Sequence, residues 1–385
     1  MLKKKIDDSK TVCVAEEVSF AWLLEHAQEL FTLQAAQLEP TPFQSLPWLA
    51  SWWEVYGQDY TPHIMVVRRA GEILGVVPLM SAKGQTVPVL EWLGAGRSDH
   101  APLLLRPDFA DACLEAVLTY LHASPFKWCL LSLRTLQESQ CNWLRDRLSS
   151  GRYLLDGDDI SPRTVVQGSW DEYLALKSRK HRKNIKRSLK QAQELPGLQI
   201  SCVGEYTSGL VDEIMDVERR SWKAKEGSLR LEGDGRKLYQ AFLQKFSSEG
   251  QLELWICRFN ETLLAYIITF NYQNSIFYYN GAYRSDCASF NPDISPGSLL
   301  IASALMSAHD RGAKTFDFLR GDEPYKKLWA NEDRNLYHIV IRAQGLAGWF
   351  AEIRHIRLRW WLRKYPILHL FREWAQRIRP AKSGR

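Results

Sequence analysis

Hydrophobic positions recur with a period of two in some short runs and with the helical period in others, and the two patterns appear in the same order twice. Ile64 to Arg69 and Ile73 to Met80 are β-rich runs separated by Ala70-Gly71-Glu72, which predicts a hairpin. Leu252 to Phe259 and Leu263 to Phe270, split at Asn260-Glu261, predict a second one. A third strand follows each hairpin, Val87 to Leu93 and Ile276 to Asn280. These strands run into Gly94-Ala95-Gly96-Arg97-Ser98-Asp99 and Gly281-Ala282-Tyr283-Arg284-Ser285-Asp286, identical at five of six positions with an offset of 187. The same offset carries the helix-patterned Ala110 to Ala123 onto Gly297 to Asp310, and the short strand Trp128 to Leu133 onto Thr315 to Arg320. Order and spacing agree, so the chain is expected to contain its folding unit twice.

Each unit reads as helix, hairpin, third strand, helix, strand. A helix that joins the third and fourth strands makes that pair parallel, by a right-handed crossover, beside an antiparallel hairpin. The expected class is therefore α/β (α+β) with mixed sheets in two tandem lobes. The boundaries are 1–165 for the first lobe, 166–345 for the second, and 346–385 for a basic amphipathic helical tail. Between the lobes, Ser178 to Glu194 has helical propensity, opens on a Ser and stops at Leu195-Pro196-Gly197. Ile185 and Leu189, four residues apart, are placed to dock it.

Charge sharpens this outline. The net charge is only +6, yet Lys177 to Lys190 holds eight Lys or Arg and no acid, and Ile341 to Arg385 holds eleven against two Glu. The rest of the chain is acidic, so an anionic partner is expected at one or both segments. In the tail, Trp349, Phe350, Ile353, Ile356, Trp360 and Trp361 alternate with Arg and Lys. That pattern fits an arm packed on its own domain, or peripheral contact with an anionic membrane. With 385 residues, 45% of them hydrophobic, disorder is excluded. No run approaches the roughly 18 to 20 apolar residues of a bilayer span, and MLKKKIDDSK lacks the features of a secretory signal. The expected location is the cytoplasm, with the inner membrane face as the place of any peripheral contact. Seven scattered Cys without a CxxC pair predict no metal and no disulfides. The absence of HExxH and GxSxG excludes metalloprotease and serine-hydrolase readings.

Three segments carry a family resemblance. Thr41 to Gly57 (TPFQSLPWLASWWEVYG), Ser178 to Arg187, and above all Tyr279 to Trp329, with its Gly-Ala-Tyr, Pro-Gly, Asp-Phe-x-Arg-Gly and Tyr-Lys, resemble the CelD or BcsL type of GNAT-related acetyltransferases. Those proteins are associated with cellulose or exopolysaccharide biosynthesis and are related in fold to the FemABX peptidyltransferases, which have two GNAT-like lobes. The resemblance implies acyl transfer from acetyl-CoA or another acyl thioester to an amine or hydroxyl, on a small-molecule or saccharide acceptor. Acyl-CoA enters as cosubstrate, with no tightly bound cofactor. The signature Arg or Gln, two residues, Gly, one residue, Gly or Ala of GNAT proteins is not recognisable here.

On that reading, Pro296, Gly297 and Ser298 open a helix whose free N–H groups suit the cofactor's diphosphate. Arg320 is a second anion-binding candidate. Asp317 is placed to act as a base, Lys326 to polarise a carbonyl and Tyr325 to protonate a leaving thiolate. Tyr283 and Trp222 are candidates for the acceptor pocket, with core packing the plainer reading for the Trp. Tyr278 and Tyr279 are expected to alternate between core and solvent, and His181 to extend the basic surface. The competing functions are a noncatalytic adaptor of a polysaccharide-synthesis or membrane complex and a FemABX-like transfer from aminoacyl-tRNA. Nucleic acid is not an expected partner on the leading reading.

Overall fold

The computed structural model describes residues 12–149, 151–286 and 294–352. The chain opens with β1 (Val14–Val18), α1 (Phe20–Glu25), α2 (Ala27–Ala35) and α3 (Leu46–Tyr56). The hairpin β2 (Tyr60–Arg69) and β3 (Glu72–Ala82) follows, then β4 (Val89–Trp92), β5 (Leu104–Leu105), α4 (Ala110–Ala123), β6 (Leu130–Gln137), α5 (Glu138–Arg147) and β7 (Tyr153–Val165). Two connecting helices, α6 (Trp170–Leu176) and α7 (Arg179–Glu194), lead into the second half. It contains β8 (Leu198–Val203), α8 (Ser208–Arg219), α9 (Trp222–Lys225), α10 (Asp234–Ser248), β9 (Leu252–Phe259), β10 (Thr262–Tyr272) and β11 (Ser275–Tyr283). It closes with α11 (Pro296–Asp310), β12 (Thr315–Asp317), α12 (Pro324–Trp329), β13 (Glu332–Arg342) and α13 (Leu346–Glu352). The amphipathic tail expected over 346–385 lies outside the described residues from 353 onward.

Thirteen strands among the described residues form one mixed sheet in the order β1-β2-β3-β4-β6-β13-β7-β12-β11-β10-β9-β8, with β5 beside β3. Reading inward from either edge gives the same sequence of pairings: three antiparallel, one parallel (β4 with β6, β11 with β12), then one antiparallel. The duplication is therefore present element for element. The innermost strand of each half, however, comes from the other half. β13 pairs with β6, and β7 pairs with β12, while β7 and β13 pair with each other from Tyr153↔Ile341 to Arg163↔Glu332. The sequence pattern did not reveal this exchange, because both strands are long and their apolar positions satisfy either neighbour.

Local chemistry explains the elements. The β2–β3 turn places Ala70 and Gly71 at φ +51° and +86°, and the β9–β10 turn places Asn260 at +52°, the left-handed geometry that tight hairpins require. Ser178 caps α7 by accepting from the His181 N–H at 3.2 Å. Ile185 is buried and Leu189 packs beside it against the sheet, as their spacing predicts. Between the sheet and α3, α8 and α10 lies one continuous core that draws on both halves, including Phe43, Trp48, Phe242 and Tyr279.

Candidate active site

The site arises where two parallel strands separate. β11 pairs with β12 only from Ser275↔Thr315 to Phe277↔Asp317. Beyond that point β11 carries an irregularity, since Thr269 of β10 faces Tyr278 and Ile268 faces Asn280, leaving Tyr279 as the extra residue. A bulge of this kind bends its strand. β12 ends at Asp317, and the chain turns through Leu319 at φ +58°. The opening lies at the carboxyl ends of the parallel strands, where open α/β sheets hold ligands.

A cavity of about 570 Å³ occupies the opening. β11 contributes Tyr278, Gly281, Ala282 and Tyr283; the start of α11 contributes Gly297 and Ser298, preceded by Ser295; α12 contributes Tyr325, Leu328 and Trp329. α7 forms a further wall with His181, Asn184, Ile185, Arg187, Ser188 and Leu189, and Trp222, Tyr266, Ile267, Leu299, Ile301 and Ala302 complete the lining. Two glycines keep the space open. A Cβ on Gly281 would lie 2.6 Å from the Tyr278 hydroxyl and 2.9 Å from the Tyr266 carbonyl, and one on Gly297 would lie 3.2 Å from Tyr283 Cδ1.

The N-terminal turn of α11 carries no acidic residue and has Pro296 at its first position, so its unpaired N–H groups present the positive end of the helix to the cavity. Its counterpart α4 has Asp111 in the first turn, three residues after Asp108, which opposes an anion there. The equivalent crevice of the first half is also filled. β5 occupies the ladder position beside β3, and a void of only about 30 Å³ remains among apolar side chains such as Trp92, Leu103 and Leu105. An open, anion-suited crevice is thus a property of the second half among the described residues.

Of the residues read from the sequence, Gly297, Ser298, Tyr283, Trp222 and Tyr325 are brought together on this cavity. Pro296 shapes the turn without lining it. Trp222 is 37% exposed rather than core. Tyr278 and Tyr279 do alternate, but between the cavity and the inter-lobe core, because the sheet is covered on both faces; both are buried. The Tyr278 and Tyr325 rings meet edge to face with centroids 6.5 Å apart, and burial pushes the Tyr278 hydroxyl up to about 12 and that of Tyr325 well above its ordinary value. Both therefore hold their protons at neutral pH. His181 is cavity wall rather than outer surface. Burial, and then the Lys177 ammonium, pull its pKa down, and its Nε2 has no hydrogen-bond partner among the described residues.

Three expected site residues point elsewhere. Asp317 is 1% exposed, accepts from Ser161 Oγ and the Leu319 N–H at 2.8 Å each, pairs with Arg334, and lies 3.4 Å from His100 Nε2. Burial alone would raise its pKa; Arg334, His100 and the Leu319 N–H outweigh it and hold the carboxyl well below the usual range, which makes it a poor base. Lys326 is 4% exposed and donates to the Arg320 carbonyl at 2.8 Å and Glu323 Oε2 at 2.9 Å, so it clamps the 319–323 loop. Arg320 reaches across to Asp99 at 3.4 Å and Asp159 at 3.9 Å. All three hold the frame beside the cavity through partners distant in the chain or in the 319–323 loop, which the motif itself does not name. Among the described residues no group of His, Cys, Asp or Glu could hold a metal ion, and no helix is long and apolar enough to cross a membrane.

Residues 179–327 match the family model described as the acetyltransferase (GNAT) domain. The matched stretch begins at the first residue of α7 and takes in the cavity lining except Leu328 and Trp329. Among solved structures, FemX superposes with a TM-score of 0.63 at 13% identity, covering 88% of this chain and 99% of that one. A conserved protein of unknown function from Bacteroides thetaiotaomicron VPI-5482 gives 0.56 at 12%, covering 85% and 99%, and L-PGS from Bacillus licheniformis gives 0.50 at 13%, covering 80% and 94%. At these identities the likeness is one of fold, and in each case it spans both halves. No curated protein matches the sequence.

Proposed function

We propose that the protein is an acyltransferase, in the first instance an N-acetyltransferase, that takes an acyl group from acyl-CoA in the second-half cavity and passes it to an amine or hydroxyl acceptor. The lobes are 1–165 and 166–345, with the site in the second. The observation that carries this reading is that an acid-free helix N-terminus and two tyrosines, Tyr278 and Tyr325, with ring centroids 6.5 Å apart, line one cavity at the divergence of β11 and β12. Backbone N–H groups of Gly297 and Ser298 hold the diphosphate. The pantetheine arm lies along the edge of β11 that β12 has left, where main-chain groups are free to pair with its amides. The acceptor nitrogen attacks the thioester carbonyl carbon; the C–N bond forms as the C–S bond breaks, and the sulfur takes a proton from the Tyr278–Tyr325 pair. The proton lost by nitrogen returns to the pair through solvent. The resemblance to CelD or BcsL-type proteins directs the search for the acceptor to polysaccharide and cell-envelope intermediates.

Thermal unfolding with and without acetyl-CoA and longer acyl-CoAs tests this directly, since a ligand bound only by the native state raises the melting temperature. Tyr325→Phe is expected to lower kcat by about 10²- to 10⁴-fold with the Kd for acyl-CoA little changed. No stabilisation by any acyl-CoA, together with tight lipid or protein association, would replace this reading with the adaptor.

A further inference from the structure

α7 walls the cavity on one side and carries a row of cations along its rim. Lys180, Lys183, Asn184 and Arg187 fall at i, i+3, i+4 and i+7, which is one face of the helix, and all four are exposed. Asn184 and Arg187 also line the cavity, so this face runs along its mouth. Two other cations of α7 are balanced by acids, Lys186 by Asp171 at 3.5 Å and Lys190 by Glu194 at 3.7 Å. Lys180, Lys183 and Arg187 have no acid within ion-pair distance among the described residues. Like charges three and four apart on a helix repel one another, so this face is relieved when an anionic surface covers it.

Exposed apolar side chains stand beside the cations. Leu176, 81% exposed, ends α6 just before the turn into α7, and Leu328, 52% exposed, lies on α12 and lines the cavity. Contacts between their neighbours hold these two at one end of the rim. Lys177 donates to the Trp329 and Ala330 carbonyls at 2.6 and 2.7 Å, and the His181 ring meets Trp329 edge to face with centroids 4.8 Å apart. Trp222 and Tyr283, both exposed, also line the cavity. A nucleic acid draws on cations and stacking rings but gains nothing from exposed leucines. An anionic bilayer takes both kinds, cations at its phosphates and apolar side chains at its acyl boundary.

We propose that the α7 rim is a docking surface for an anionic lipid bilayer, with Lys180, Lys183 and Arg187 on headgroup phosphates and Leu176 and Leu328 at the acyl boundary. The contact is peripheral, as no helix among the described residues is long and apolar enough to cross. It lies on α7, α6 and α12 and is distinct from any contact made by the basic tail. Docking sets the cavity mouth at headgroup level. The surface itself does not rest on the acyltransferase reading.

Flotation of the full chain tests it, with vesicles of phosphatidylglycerol and phosphatidylcholine in equal parts and with phosphatidylcholine alone. Wild type is expected to float with the anionic vesicles only, and less as salt is raised. Lys180→Gln, Lys183→Gln and Arg187→Gln combined are expected to lower the partition coefficient about a hundredfold, roughly fivefold for each cation. Leu176→Ser and Leu328→Ser are expected to lower it about fivefold each. Lys237→Gln, on α10 and paired with Asp234 at 2.9 Å, is expected to change nothing. The charge-conserving triple of Lys180→Arg, Lys183→Arg and Arg187→Lys is expected to float as wild type does, which separates lost charge from a disturbed helix. The basic tail is present in every variant, so equal flotation of wild type and the Gln triple would assign the membrane contact to the tail and overturn the proposal. Wild-type flotation by both leucine variants, or binding of bulk tRNA without binding of the vesicles, would show a surface for a polyanion instead and overturn it as well.

Discussion

Residues that look reactive in a motif divide here into those that meet the cavity and those that hold its frame. Asp317 shows the difference. Its carboxylate lies among Arg334, His100, Ser161 and a backbone N–H, all of which favour the charged form. A group whose pKa is depressed in the folded state stabilises the protein above its unfolded pKa, roughly 3.9, and loses that contribution as the pH falls through its folded value. Asp317→Asn is therefore expected to cost about 3–5 kcal/mol at pH 7, because Arg334 is left without its buried counter-charge. The gap from wild type should narrow below pH 4. Urea unfolding at pH 7 and at pH 3 measures both; a cost under about 1 kcal/mol, or an equal gap at the two pH values, would show that the pair contributes little.

At the scale of elements, α11 and β11 decide the chemistry together. Gly297 allows the helix to start against Tyr283, where an added Cβ would be only 3.2 Å from the ring. Gly297→Ala asks Tyr283 to give by a few tenths of an ångström, whereas Gly297→Val adds two methyl groups at the place where the diphosphate must approach the backbone. The Val variant is expected to raise the Kd for acyl-CoA by about tenfold or more, or about 1.4 kcal/mol, and the Ala variant distinctly less. Calorimetric titration of both variants reads this, and equal affinities across wild type, Ala and Val would place the diphosphate elsewhere. α7 adds a wall to the same cavity, and its exposed Arg179, Lys180 and Lys183 have no acidic partner among the described residues.

At the scale of the molecule, the exchange of β7 and β13 binds the halves into one sheet. A fragment of residues 166–352 would keep β12 without β7, and β13 without either neighbour. Unpaired edges of that length seldom persist in isolation. The fragment is expected to lack a cooperative unfolding transition by itself and to regain one when mixed with residues 12–165. A sharp transition in the isolated fragment would show that the exchanged strands are dispensable.

The sequence alone determined the repeat, the mixed sheet and the helices α4, α7 and α11, because hydrophobic period, capping residues and turn residues act over a few neighbours and are written locally. α4 falls on Ala110–Ala123 and α7 on Arg179–Glu194, as their patterns predict. It also pointed to Gly297, Ser298, Tyr283, Trp222 and Tyr325, which carry the signals of helix starts and strand ends. Tertiary structure alone decided which strand closes each half, that Tyr278 meets Tyr325 edge to face, that His181 turns inward, and that Asp317, Arg320 and Lys326 are spent on the frame. Those outcomes depend on which distant charge or strand edge arrives beside a residue, and no local pattern encodes the identity of a partner more than a hundred residues away.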